Sequence, residues 1–235
     1  MNHLSYLLLT AGYALLFLWA FMLLKNENQF KREKTFDESF FLLFVLFALF
    51  YDNIIVLSGI WIGEGNTLES LSYIRYFLHA VITPTLILVI WKICLRLNVS
   101  FAKNHIVKLT AYALTFGLML YELFVVVFPL ELRAMYENSM LQYEPTNGMQ
   151  PFMVIIVMSV YAIAGYMFIH QFRFYSLFFG TVLMSAGSVL SIWFDGTLMN
   201  WFELVFMFTL LLTKRFQIKV TRKIIPFRSR KFKFV

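Results

Sequence analysis

From Leu4 to Leu24 the chain runs twenty-one residues without a charged side chain, and stretches of this kind return almost to its end. A helix crosses bilayer hydrocarbon with ~20 apolar residues, and in lipid only helices and closed barrels satisfy their own backbone groups. Six further runs fit helices at Ser39–Ile62, Tyr73–Leu95, Ile106–Phe128, Phe152–Ile169, Phe174–Phe194 and Leu198–Thr213, the last of them short. The first run has no basic segment before it and exceeds the ~7–15 residues of a signal-peptide core, so it reads as a retained span. Composition agrees. The 235 residues are 60% hydrophobic and 14% charged, with mean hydropathy +0.73, against ~45–50% apolar and ~25% charged in a soluble domain. The expected fold is an all-α polytopic integral membrane protein with seven transmembrane helices. It occupies residues 1–213 and is followed by a basic tail over 214–235.

The basic residues set an orientation. Lys25, Lys31, Arg32 and Lys34 fall in the first connection, Lys92, Arg96, Lys103 and Lys108 in or beside the third, and Arg173 in the fifth. Nine more lie between Lys214 and Lys233, where there is no acid. Lys and Arg collect on the cytoplasmic side of a membrane, which predicts an external N-terminus, a cytoplasmic C-terminus and residence in the cell membrane. The net charge of +7 is therefore local. Without the tail, eleven basic residues face thirteen acidic ones. That distribution argues against nucleic acid as a partner and for anionic lipid headgroups at the tail, at about 1 kcal/mol of attraction per Lys or Arg.

Apart from Lys92 and Lys108 near the inner ends, five charged or histidine side chains fall inside the expected spans: Asp52, Arg75, His79, Glu122 and Glu203, with Asn53 beside the first. Such residues are rare in hydrocarbon, at ~2.5–3.5 kcal/mol each on an insertion scale, and they mark functional positions. By helical rise all five belong to the outer half of the bilayer or its floor. Arg75 and His79 are four residues apart on one helix face, and Thr83 continues the stripe to Pro84, which removes a backbone donor and frees carbonyls in the interior. The picture is a funnel open to the outside, with Arg75 at its mouth, His79, Glu122 and Glu203 at its waist, and Asp52 and Asn53 as its floor. A competing picture is an ion-pair network that only locks the helices, such as Asp52 with Arg75. Three carboxylates against one arginine and one histidine leave an excess of acid, which favours a ligand or a proton.

Several chemistries can be weighed. A retinal Schiff base needs a lysine in the last helix, and Leu198–Thr213 contains none. A three-histidine zinc site is out of reach, because His79 is the one histidine at useful depth. Asp52, His79, Glu122 and Glu203 match a divalent ion by ligand type alone, so no metal is assigned. The single cysteine, Cys94, excludes an internal disulfide. No pattern names a cofactor. The leading reading is an outward polar cavity for a small solute or lipid-like ligand, with proton coupling through Asp52. An intramembrane enzyme using His79, Glu122 and Glu203 for acid–base or metal chemistry is the alternative, and a structural subunit with internally paired charges is the third. Two local features complete the expectations. Leu132, Tyr136, Ser139 and Tyr143 recur at helical spacing in the connection Pro129–Pro151, which fits a short surface helix or an irregular loop. Small residues around Ser185-Ala186-Gly187-Ser188 let a neighbouring helix approach closely, and Thr181, Ser185, Ser188 and Asp195 share one polar face.

Overall fold

In the computed structural model, residues 2–28, 40–137, 140–146, 152–190 and 197–231 are described, with the side chains of the last helix described as far as Arg222. The apolar runs fold into helices α1 (Asn2–Asn28), α2 (Phe41–Ile62), α3 (Asn66–Ile82), α4 (Leu86–Arg96), α5 (His105–Tyr121), α6 (Phe152–Phe172), α7 (Ser176–Leu190) and α8 (Thr197–Lys231). A 3₁₀ turn at Thr83–Thr85 joins α3 to α4, and a π-helical turn at Glu122–Val127 extends α5. Five helical stretches are long and apolar enough to cross a membrane: His3–Glu27, Phe41–Ile62, Asn66–Arg96, His105–Val127 and Phe152–Phe172. Their outward faces carry bare apolar side chains such as Leu15, Phe124 and Ile163. A bilayer is the environment such a surface suits.

The Asn66–Arg96 stretch holds the bundle together. Its second half, α4, packs against α2, α5, α6 and α8, and every residue from Leu86 to Trp91 is buried. A helix apolar on all sides belongs in a core, and Leu-Ile-Leu-Val-Ile-Trp is such a sequence. Pro84 breaks the hydrogen-bond ladder above it. Beside the break, Tyr161 of α6 donates to Leu86 O at 3.0 Å, and the Thr115 hydroxyl of α5, which donates to Ala111 O of its own helix at 2.8 Å, lies 3.4 Å from Pro84 O.

Three expectations need correction. The third helix begins at Asn66 rather than Tyr73, because Gly63 (φ +81°) and Gly65 (φ +149°) reverse the chain within three residues of the end of α2. These are backbone conformations that glycine takes readily. In its described residues the connection Pro129–Pro151 is neither helix nor irregular loop. It contains an antiparallel hairpin, β1 (Leu132–Glu137) with β2 (Met140–Pro145), pairing Ala134 with Tyr143 and Tyr136 with Leu141. Residues four apart satisfy a period of two as well as one of 3.6, so Leu132 and Tyr136 fit either reading. Burial decides for the strand, since Leu141 and Tyr143 pack with Ile55 and Leu68 between α2 and α3. The seat is tight at Gly59, where a Cβ would overlap the Leu141 carbonyl.

The third correction concerns the tail. The helix does not stop at Thr213 but runs on to Lys231, and Lys214 and Gln217 are fully buried. Their burial follows from charge on other helices. Glu27 of α1 takes Lys214 Nζ at 2.9 Å and is hydrogen-bonded by Arg96 of α4. On α7 the close approach to α8 is made by Gly180 against Thr209 and Gly187 against Phe202. Thr181 is buried and Ser185 is exposed, while Asp195 and Ser139 lie outside the described residues.

Replacing Lys214 with Met is expected to destabilise the bundle by about 2–3 kcal/mol, since a buried carboxylate loses a charged hydrogen-bond donor. The exposed neighbour Arg215→Met should change stability by less than about 0.5 kcal/mol. Reversible unfolding in mixed micelles would measure both.

Candidate functional site

The geometry of the polar centre follows from the α2–α3 reversal. Asp52 lies ten residues before the end of α2 and Arg75 nine residues after the start of α3. At ~1.5 Å per residue the two antiparallel helices bring them to the same level, about 14–15 Å from the turn. They meet: Arg75 Nε donates to Asp52 Oδ1 at 2.6 Å. Arg75 is therefore not at a mouth above Asp52 but level with it, which is the consequence of a helix that begins seven residues earlier than its hydropathy implies.

A second pair forms between the first and last helices. Tyr13 of α1 donates its phenol to Glu203 Oε2 of α8 at 3.3 Å, with Asn200 O at the same distance. Four residues beyond Arg75, His79 reaches along its own helix, with Nδ1 and the Thr83 hydroxyl 3.3 Å apart. His79, Thr83 and Glu203 then line one cavity of about 30 Å³, completed by apolar side chains that include Met158, Met184, Met199 and Met207. That volume holds about one water. Asp52 lies within electrostatic reach of Tyr13, His79 and Glu203. Residues of α1, α2, α3 and α8 thus share one charged neighbourhood.

Two expected members stand elsewhere. Asn53 is 1% exposed and turned into the helix packing, where its side-chain amide donates to Leu49 O at 2.8 Å and its Oδ1 has no hydrogen-bond partner. Glu122 opens the π-helical turn, which packs on α3; there it is buried, and its Oε1 has no hydrogen-bond partner. It lines no part of the cavity shared by His79 and Glu203. The acid–base trio of His79, Glu122 and Glu203 is accordingly divided between two places. Among the described residues no three His, Cys, Asp or Glu side chains gather closely enough to hold a metal ion.

The hairpin covers this end of the bundle on the α2–α3 side. Tyr76, next to Arg75, donates its phenol to Tyr143 O at 3.1 Å, and the Gly65 N–H donates to the Tyr143 phenol at 3.2 Å. Tyr13 has no mark in the sequence as a site residue, and Tyr143 is marked there only by its spacing within the connection Pro129–Pro151. Tyr13 belongs to a buried stripe of α1, Tyr6, Leu9, Tyr13, Leu16, Ala20, Leu24 and Glu27, spaced three and four apart as one face of a helix requires. The stripe was readable, and it contains both the phenol that meets Glu203 and the carboxylate that meets Lys214.

Replacing Arg75 with Met should destabilise the bundle by about 2–3 kcal/mol. In a double-mutant cycle with Asp52→Asn, a coupling of about 1–3 kcal/mol is expected for residues in contact, read from unfolding in mixed micelles. No known family model matches this chain, and a search of curated proteins finds no relative of it.

Proposed function

We propose that the chain is a seven-span protein of the cell membrane, with its N-terminus outside and its C-terminus in the cytoplasm, whose polar centre binds a small solute and moves it together with a proton. The two spans beyond the five long apolar ones are α7 and α8. The orientation rests on the Lys and Arg of the first, third and fifth connections. On α8 the exposed Arg215 and Lys219 are among the residues that meet anionic headgroups, whereas Lys214 is buried.

One observation carries the functional reading. His79 and Glu203, 124 positions apart in the chain, line the same cavity and lie within reach of the Asp52–Arg75 pair. Titratable groups that converge inside a membrane serve proton and solute pathways. Glu203 meets a neutral phenol, a partner that suits a carboxyl able to take up and release a proton. The methionines of the lining are flexible and can repack around a guest. A void the size of one water favours a small solute over a lipid-like ligand, admitted when those side chains move. A second reading has the Asp52–Arg75 contact on its side: a scaffold whose charges only fix helix positions.

The two readings separate in proteoliposomes holding a pH-sensitive dye and challenged with small organic acids, amines and neutral polar solutes. At least one class is expected to move protons, and Glu203→Gln should slow that movement at least about tenfold, the effect of ~1.4 kcal/mol. Proton movement with none of the solutes, or an equal rate in Glu203→Gln, overturns the coupled reading. Loss of stability without any proton movement in the parent chain is the scaffold's signature.

A further inference from the structure

A second cavity, larger than the polar one, lies on the other side of the Pro84 break and is of opposite character. About 210 Å³ opens between α5 and α6, with α4 as its floor. Ile87, Ile90 and Trp91 of α4, Ala111 of α5 and Ala164 of α6 form its depth, and Thr110 and Ile163 stand exposed at its rim. Its wall is almost wholly apolar, with two alanines where larger residues would fill the space. The volume is about seven times a water's share of the liquid, yet the wall offers almost nothing to hydrogen-bond, so water is a poor occupant. Because the rim lies on the outward surface of α5 and α6, an apolar chain can enter sideways from lipid.

Charge gathers at one end of the groove. Phe101 lines it and Lys103, two residues on, is exposed; Val107 lines it and Lys108 beside it is exposed. Lys92 holds its ammonium 5.7 Å from the ring of Trp91, itself part of the wall. From Lys92 to Tyr121 the sequence contains no acid. An apolar slot ending in lysines complements one class of molecule, which carries an acyl chain on an anionic headgroup. Trp91 fixes the geometry where the two parts join, since its indole N–H is held by Ala102 O at 3.1 Å.

We infer that the α4–α5–α6 groove is a binding site for an anionic phospholipid, with an acyl chain between α5 and α6 and the headgroup at Lys103 and Lys108. This site is separate from the polar centre and does not depend on its role.

Trp91 can report occupancy. The full chain, carrying Trp19→Phe, Trp61→Phe, Trp193→Phe and Trp201→Phe, is placed in nanodiscs of phosphatidylcholine containing either phosphatidylglycerol or phosphatidylcholine with brominated acyl chains, which quench indole fluorescence on contact. Brominated phosphatidylglycerol is expected to quench Trp91 at a severalfold lower mole fraction than brominated phosphatidylcholine. Lys103→Gln with Lys108→Gln should remove that preference, at roughly fivefold for each lysine. Thr110→Phe, which crowds the rim without touching the core, should reduce quenching by both lipids. Equal quenching by the two lipids in the parent chain, or undiminished quenching in Thr110→Phe, overturns the site. These two variants change only exposed residues beyond the tryptophan background, so the fold is spared.

Discussion

The contact between Asp52 and Arg75 sets the position of everything at the hairpin end of the bundle. It exists because α2 and α3 reverse over three residues, two of them glycines with positive φ, so that antiparallel partners about 14–15 Å from the turn lie level. Without the pair, each helix would bury an unpaired charge. With it, the face of α3 that carries Arg75 is turned toward α2, and His79, one turn on, is carried toward the space below. Tyr76 is turned toward the hairpin and takes hold of Tyr143 O. One ion pair thus fixes a helix rotation, the direction of a histidine and the seat of a lid-like hairpin.

The charged layer at the opposite end is built differently. Glu27 there meets two cations, Lys214 and Arg96, from two other helices, and the burial of Lys214 and Gln217 makes the contact dry. An ion held by opposite charges in a dry place is poorly suited to exchanging protons or ligands; its role is to join α1, α4 and α8. Glu203 meets a phenol, beside a cavity lined by flexible side chains. Glu27 is buried and Glu203 half-buried, but the sharper distinction between them is the charge of the partner.

Much of this was open to reading in advance. The apolar runs place α1, α2, α5 and α6 within a few residues, because a span needs length and little else. The glycines at 63 and 65 were visible too, but hydropathy averages over the polar first turns of α3, where Asn66, Thr67, Glu69 and Ser70 precede the apolar part. The helix start was therefore read late and Arg75 too shallow. The hairpin was missed because residues four apart fit both helical and strand periods, and only a partner surface at Gly59, Leu68 and Ile55 distinguishes them. Charge alone places Lys214 in the tail. What hid its burial is that its counter-charge comes from Glu27, nearly two hundred residues away. For the site, the sequence supplied Asp52, Arg75, His79 and Glu203 as types at plausible depth. It could not tell that Glu122 stays out of the cavity lined by His79 and Glu203, since a helix face is fixed only by its neighbours.

The break at Thr83-Pro84-Thr85 links these observations. Above it, α3 carries Arg75, Tyr76, His79 and Thr83, and below it α4 is apolar apart from Lys92 and Arg96. An unbroken helix would fix the rotation of one half from the other. Here the polar half must face α2 and α8 while the apolar half packs against four helices at once. A proline in a helix interior costs about 3 kcal/mol, because it removes one hydrogen bond and its ring crowds the carbonyl one turn back. Thr85 donates to Ile82 O at 2.5 Å across the break, and Tyr161 ties Leu86 O to α6 at 3.0 Å, so side-chain donors support the interrupted backbone. The residues just before it line the water-sized polar cavity, and those just after it form the floor of the apolar groove. Two opposite environments on one span are the physical reason for a proline at its centre.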